Sequence, residues 1–244
     1  MIPQEPVLAL LLYSGLAAAV TALGALPFAL GRPPGRGLVG LADALAGGLM
    51  LGAAYLLVGR GLDEGVWPVL GGAALGVVYT WWIRGYAGLQ DLDEGSVAGP
   101  ERGYKLILRN GLHSASEGVA IGVAMVLDPR LGVFVALALG VHNVGEGVSL
   151  TDALVGERVP AGQAAGLCVA SKVSQPLLAL AAFAVAPSLA GLLAAGLGFA
   201  AGALLFLVLT ELVPDAYERA PALGVALAVS GTAGGVVLLE ALLL

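Results

Sequence analysis

The sequence predicts an all-α membrane protein of eight transmembrane helices with its N- and C-termini on the same, outer side. Three observations carry this expectation. Of 244 residues, 59% are hydrophobic and 11% charged, at a mean hydropathy of +0.95; that is too little polar surface to cover a water-soluble globule of this size. Apolar runs long enough to cross a bilayer, about 20 residues each, follow one another with short polar breaks. Finally, the Lys and Arg residues are shared unevenly among those breaks.

The first run, 7–30, has only Glu5 as a charge ahead of it. It lacks the basic start of a signal peptide and is too long for a cleaved core, so it is read as a retained helix. Runs at 37–59, 66–86, 106–127, 131–155, 162–185, 189–213 and 221–243 complete eight spans. No room is left for a soluble unit, and residues 1–244 read as one transmembrane domain. With the N-terminus outside, Arg32, Arg36, Arg84, Arg102, Lys105, Arg109, Arg158 and Arg219 fall at the cytoplasmic face, with only Arg60 and Arg130 opposite. That is the asymmetry expected of a chain oriented by its cytoplasmic cations. The break at 87–103 places Asp91, Asp93, Glu94 and Glu101 among Gly, Ser and Pro, the pattern of a flexible cytoplasmic linker. It has no histidine to collect a metal.

Small residues recur inside the runs, as at Gly47-Gly48, Gly71-Gly72 and Gly198 to Gly202, which predicts closely approaching helices. The single cysteine, Cys168, stands in an apolar run and builds neither a disulfide framework nor a thiolate cluster. The net charge of −6, without a basic patch interleaved with aromatics, excludes a nucleic-acid partner.

One internal repeat stands out: HSASEGVAIG at 113–122 against HNVGEGVSL at 142–150. The two copies fall in spans four and five, whose short connection at Asp128-Pro129-Arg130 makes these spans a central antiparallel pair with facing motifs. Residues four apart share a helix face, so His113 with Glu117, and His142 with Glu146, each present an imidazole beside a carboxylate. Both histidines of the protein are used here. Zinc and similar ions take these ligand types at about 2.0–2.2 Å. Carboxylates at membrane depth are costly unless something compensates them, and a divalent cation does so. A hydrogen-bonded packing device is the competing reading of one such pair; its repetition on neighbouring helices favours the metal.

HSASEG and HNVGEG resemble the His-Asn-x-Pro-Glu-Gly signatures in the fourth and fifth helices of the ZIP (Zrt/Irt-like) metal-transporter family. TALGALPF at 21–28, AGGLMLGAAYLL at 46–57, SKVSQP at 171–176 and AGALLFLVLTELVPDA at 201–216 resemble that family's first, second, sixth and seventh helices. The resemblance implies that His113, Glu117, His142 and Glu146 line a primary transport site, with Met50 as a soft ligand. It also implies an adjoining second metal position built from the motif asparagines, the shared glutamates and a glutamate before proline in the sixth helix. Here Ser114 replaces the first asparagine, Asn143 keeps the second, and Gln175 replaces the glutamate. Lys172, three residues before Gln175, is positioned to substitute for a second cation, so a one-metal site is expected; snorkelling toward an interface is its alternative. The motif prolines are Ser116 and Gly145, which leaves the kinking of spans four and five open.

Glu211, ahead of Pro214 and near Asp215, is a candidate for an exit route. So is Asp43, whose alternative is a helix start, where an acid suits the dipole. Glu240 is expected at the outer interface.

The function so implied is a carrier moving Zn²⁺, or Fe²⁺, Mn²⁺ or Cd²⁺, toward the cytoplasm by alternating access, with spans one, four, five and six sliding against the rest. It is no enzyme and needs no catalytic cofactor; the metal is cargo. An intramembrane metallohydrolase would need an open zinc position and a separate general base, and the His-Glu-x-x-His order is absent. A metal sensor without transport would use the same ligands. The partners expected are the divalent ion and the lipid bilayer, in a bacterial inner membrane crossed many times, with a homodimer left open as the assembly.

Overall fold

The computed structural model describes residues 5–86, 100–189 and 191–243, and every regular element among them is helical. In order these are α1 (Pro6–Ala19), a 3-10 stretch (Val20–Ala25), α2 (Leu26–Ala29), α3 (Arg36–Glu64), α4 (Val66–Tyr86), α5 (Pro100–Leu127) and α6 (Pro129–Gly156). There follow α7 (Ala161–Ser171), α8 (Ser174–Val185), a 3-10 turn (Ala186–Ser188), α9 (Leu192–Leu207), a π turn (Val208–Leu212), α10 (Val213–Arg219) and α11 (Ala222–Leu243).

Seven stretches are long and apolar enough to cross a bilayer: Pro6–Ala29, Arg36–Glu64, Val66–Gly85, Pro129–Gly156, Ala161–Ser188, Leu192–Arg219 and Ala222–Leu243. The chain is a multi-pass membrane protein. The expected fourth span, α5, falls outside that set among the described residues, although at 28 residues it is one of the longer helices. The reason is its cargo of polar side chains. Asn110, His113, Ser114, Ser116 and Glu117 are all buried, turned into a bundle that packs α5 against α6, α8 and α9. The surface is the apolar part: Leu8, Trp67, Leu75, Leu223 and Leu242 stand exposed, while Met50, Leu57, Ile121, Leu139, Leu197 and Leu204 fill the core.

The helix ends follow the prolines. Of the expected 87–103 linker, 87–99 lies outside the described residues, whereas Pro100 to Gly103 belong to the first turn of α5. Proline fits there because its missing N–H has no partner to lose. The expected span 162–185 is built of two helices. Pro176 offers no N–H to the Lys172 carbonyl, which accepts instead from Gln175 N at 3.0 Å, and the chain turns between α7 and α8. Pro214 likewise cannot bond the Thr210 carbonyl; the helix loosens into the π turn, and Arg84 Nη1 donates to Thr210 O at 3.0 Å. α5 and α6, without motif prolines, run through their motifs without interruption. Ser116 Oγ still bonds back to His113 O at 2.7 Å.

α5 and α6 are joined through the single residue Asp128, whose side chain caps α6 by accepting from Arg130 N at 2.8 Å. Gly132 lies on Met125, His142 beside Glu117, and Leu154 on Gly103. As numbers rise on one helix they fall on the other, so the two are antiparallel. Close approach is enforced elsewhere by glycine. A Cβ on Gly118 would strike the Gln175 carbonyl of α8, and one on Gly147 the Thr21 carbonyl of the 3-10 stretch.

Candidate metal centre

The hairpin register brings Glu117 of α5 across from His142 and Glu146 of α6. His142 Nε2 stands 3.4 Å from Glu117 Oε1 and 3.2 Å from Glu146 Oε2. One ligand atom from each of the three lies within 4.8 Å of the other two, and it is the group among the described residues with donors placed to share a metal ion. Glu117 and His142 are buried, Glu146 nearly so. Beyond these two carboxylate contacts, neither nitrogen of His142 makes a hydrogen bond, and a bound cation would satisfy the buried ring.

Lys172 does not snorkel. It is wholly buried at the break between α7 and α8, with Nζ 2.9 Å from Glu117 Oε2, 3.2 Å from Glu117 Oε1, and in direct contact with Glu146 Oε2. Polar staples hold the break in place. Asn110 Nδ2 donates to Ser171 Oγ at 2.7 Å, and Ser174 Oγ donates to Gly111 O at 2.5 Å. Asn143 Nδ2 donates to Ala17 O at 2.7 Å and to Gln175 Oε1 at 3.0 Å, tying α1, α6 and α8 together. Asn143 Oδ1, Ser114 Oγ and Gln175 Nε2 are buried without partners.

His113 takes a different place from its motif partner Glu117. It faces Glu211 of the π turn, Nε2 to Oε1 at 3.9 Å, and Glu211 also pairs with Arg109. Both sit on a cavity of about 400 Å³ whose wall also includes His142, Glu146, Asp43 and Asp215. Asp43 is eight residues into α3, so the helix-start reading is set aside; it accepts from Ser149 Oγ and pairs with Arg219 Nη1 at 3.4 Å. Met50 lies in the apolar core cluster with Leu57, Leu204 and Val208. Glu240 pairs with Arg60 at 2.5 Å, joining the ends of α11 and α3.

Asn110, Ser149, Ser171 and Ser174 lie outside the site residues expected from the sequence. For the first two a signal existed: Asn110 precedes His113 by three residues and Ser149 follows Glu146 by three, so the helical period carries each motif face one turn further. Nothing local marks the two serines at the break.

The model of the ZIP zinc transporter family matches residues 90–242, which include both motifs, the Lys172 break and the π turn. The chain belongs to the ZIP zinc transporter family. A relative from Arabidopsis thaliana that carries a zinc-transporter name is 31% identical over 227 residues, 83% of this chain and 34% of the relative. The chain thus spans about a third of that relative's length. Family membership accounts for buried ionisable groups inside helices of this apolar composition.

Proposed function

We propose that this ZIP-family chain is a carrier that moves a divalent transition-metal ion, Zn²⁺ first, toward the cytoplasm. The observation that carries the reading is the Glu117, His142 and Glu146 group, of which His142 and Glu146 line the cavity and Glu117 lies buried beside them. The ion binds between these side chains. It leaves past His113 and Glu211, then Asp43 and Asp215, which line the rest of the cavity. Imidazole and carboxylate donors suit Zn²⁺, Fe²⁺ and Mn²⁺ alike, so competition, not ligand type, ranks the ions.

The proposed topology has α5 as the fourth of eight spans and both termini outside, with the Arg219 end of the cavity toward the cytoplasm. Packing supports a division for alternating access. α1, α5, α6, α7 and α8 pack on one another, α3, α4, α9, α10 and α11 form the other group, and the two meet where α3 packs on α6 and α5 on α9, beside the cavity. The cavity is complete within one chain, so a homodimer is not required for this chemistry.

The test is Zn²⁺ uptake by sealed proteoliposomes containing the purified full chain. Uptake that is saturable and lost in His142→Ala and Glu146→Gln supports the carrier. Zn²⁺ binding without movement across the bilayer would assign the site to a sensor and sink the transport reading.

A further inference from the structure

Glu117 and Glu146 each meet both His142 and Lys172. Glu117 Oε1 lies 3.4 Å from His142 Nε2, and Lys172 Nζ donates to both Glu117 oxygens, at 2.9 Å to Oε2 and 3.2 Å to Oε1. Glu146 Oε2 lies beside both groups. The carboxylate pair is thus shared between an imidazole half, at His142, and an ammonium half, at Lys172. A metal ion can use the imidazole half, because His142 offers nitrogens with no other partner. The other half already holds a cation covalently tied to the chain.

The surroundings of the ammonium half are those of a cation position in their own right. Ser114 and Asn143 precede Glu117 and Glu146 by three residues each, which puts them on the same helix faces one turn away. Ser114 Oγ and Asn143 Oδ1 are buried oxygens without a hydrogen-bond partner. Two carboxylates and two neutral oxygens are donors that a hard or borderline divalent ion accepts. What keeps a second ion out is charge. The two carboxylates and Lys172 sum to −1, one divalent ion brings the cluster to +1, and a second would have to enter a cluster already positive and largely buried.

We infer that Lys172 is a tethered counter-cation that restricts this site to one divalent ion and weakens its hold on that ion by competing for Glu117 and Glu146. The position of Nζ is fixed by the proline-driven break at Lys172 and by the Ser171 and Ser174 staples to α5. The ammonium is thus built into the backbone geometry. This inference rests on the carrier reading for the identity of the cation.

The test counts bound Zn²⁺ and measures its affinity on the purified full chain in detergent, by equilibrium dialysis with metal analysis. The wild type binds one ion, and Lys172→Arg, which keeps the charge, also binds one. Lys172→Met binds a second ion or holds the first at least about tenfold more tightly. Because Lys172→Met leaves two buried carboxylates bare and can fail to fold, the double variant Lys172→Met with Glu146→Gln is measured beside Glu146→Gln alone. The single change leaves Glu117 neutralised by Lys172 and loses binding; the double change frees Glu117 and recovers part of it. Two ions in the wild type, wild-type affinity and stoichiometry in Lys172→Met, or no recovery in the double variant would overturn the inference. A wild type that binds no Zn²⁺ would overturn the metal site itself, which is a separate result.

Discussion

His113 Nε2 and Glu211 Oε1 face each other at 3.9 Å across the cavity, and neither atom has a hydrogen-bond partner. The histidine of the first motif copy thus stands at a different part of the cavity from the histidine of the second. His142 sits with both glutamates, whereas His113 sits beyond them toward the π turn.

From that division, His142→Ala should weaken Zn²⁺ binding by about 100-fold or more, at or beyond the upper end of what losing a supporting residue costs a metal site. His113→Ala should change affinity by about threefold or less and lower the uptake rate instead, because it removes a station on the way out. Dialysis for affinity and vesicle uptake for rate separate the two. Equal losses of affinity in both variants would place His113 in the primary shell and contradict the division.

Arg84 and Pro214 predict a stability effect away from the metal. The proline leaves the Thr210 carbonyl without its helical donor, and Arg84 supplies one at 3.0 Å. Arg84→Met should cost about 1–3 kcal/mol, the price of an unsatisfied, partly buried carbonyl, read as a lower thermal midpoint in detergent. Adding Pro214→Ala returns an N–H at that position and should recover most of the loss. Failure of the second change to rescue the first would refute the pairing.

Why some of this was legible in the sequence, and some not, comes down to range. Helix positions follow apolar runs and prolines, which are local. The facing of Glu117 and His142 follows from one short connection and a residue count on each side. Lys172 stood out because ammonium in an apolar run demands a partner. The rotation of α5 about its axis is not local: the helical period sets His113 beside Glu117, yet which of them turns toward α6 and which toward α9 depends on packing with α8 through Gly118. The polar face of α5 also explains why it falls short of the composition of a lipid-facing span while lying inside the bundle.

Gly118 therefore predicts a sharp substitution pattern. A Cβ there would strike the Gln175 carbonyl, while one on Gly71 would meet nothing within 4 Å. Gly118→Ala should destabilise by about 1–3 kcal/mol through overpacking and, by pushing α8 away, withdraw Lys172 and reduce metal uptake severely. Gly71→Ala should leave both unchanged. Normal uptake in Gly118→Ala, in protein of normal thermal stability, would show that α5 and α8 do not need this closeness.

The proposed orientation can be tested with thiols, because Cys168 is the protein's single cysteine and is buried, giving a quiet background. Arg130 and Arg158 are exposed at opposite ends of α6. If the uneven cations orient the chain as proposed, Arg130→Cys reacts with a membrane-impermeant maleimide in intact cells, and Arg158→Cys reacts only after permeabilisation. The reverse pattern would invert the chain and turn the cavity outward, making the same side chains an entry route. Labelling of both from outside would mean that α6 does not cross the bilayer, and the hairpin that joins Glu117 to His142 could not then lie at membrane depth.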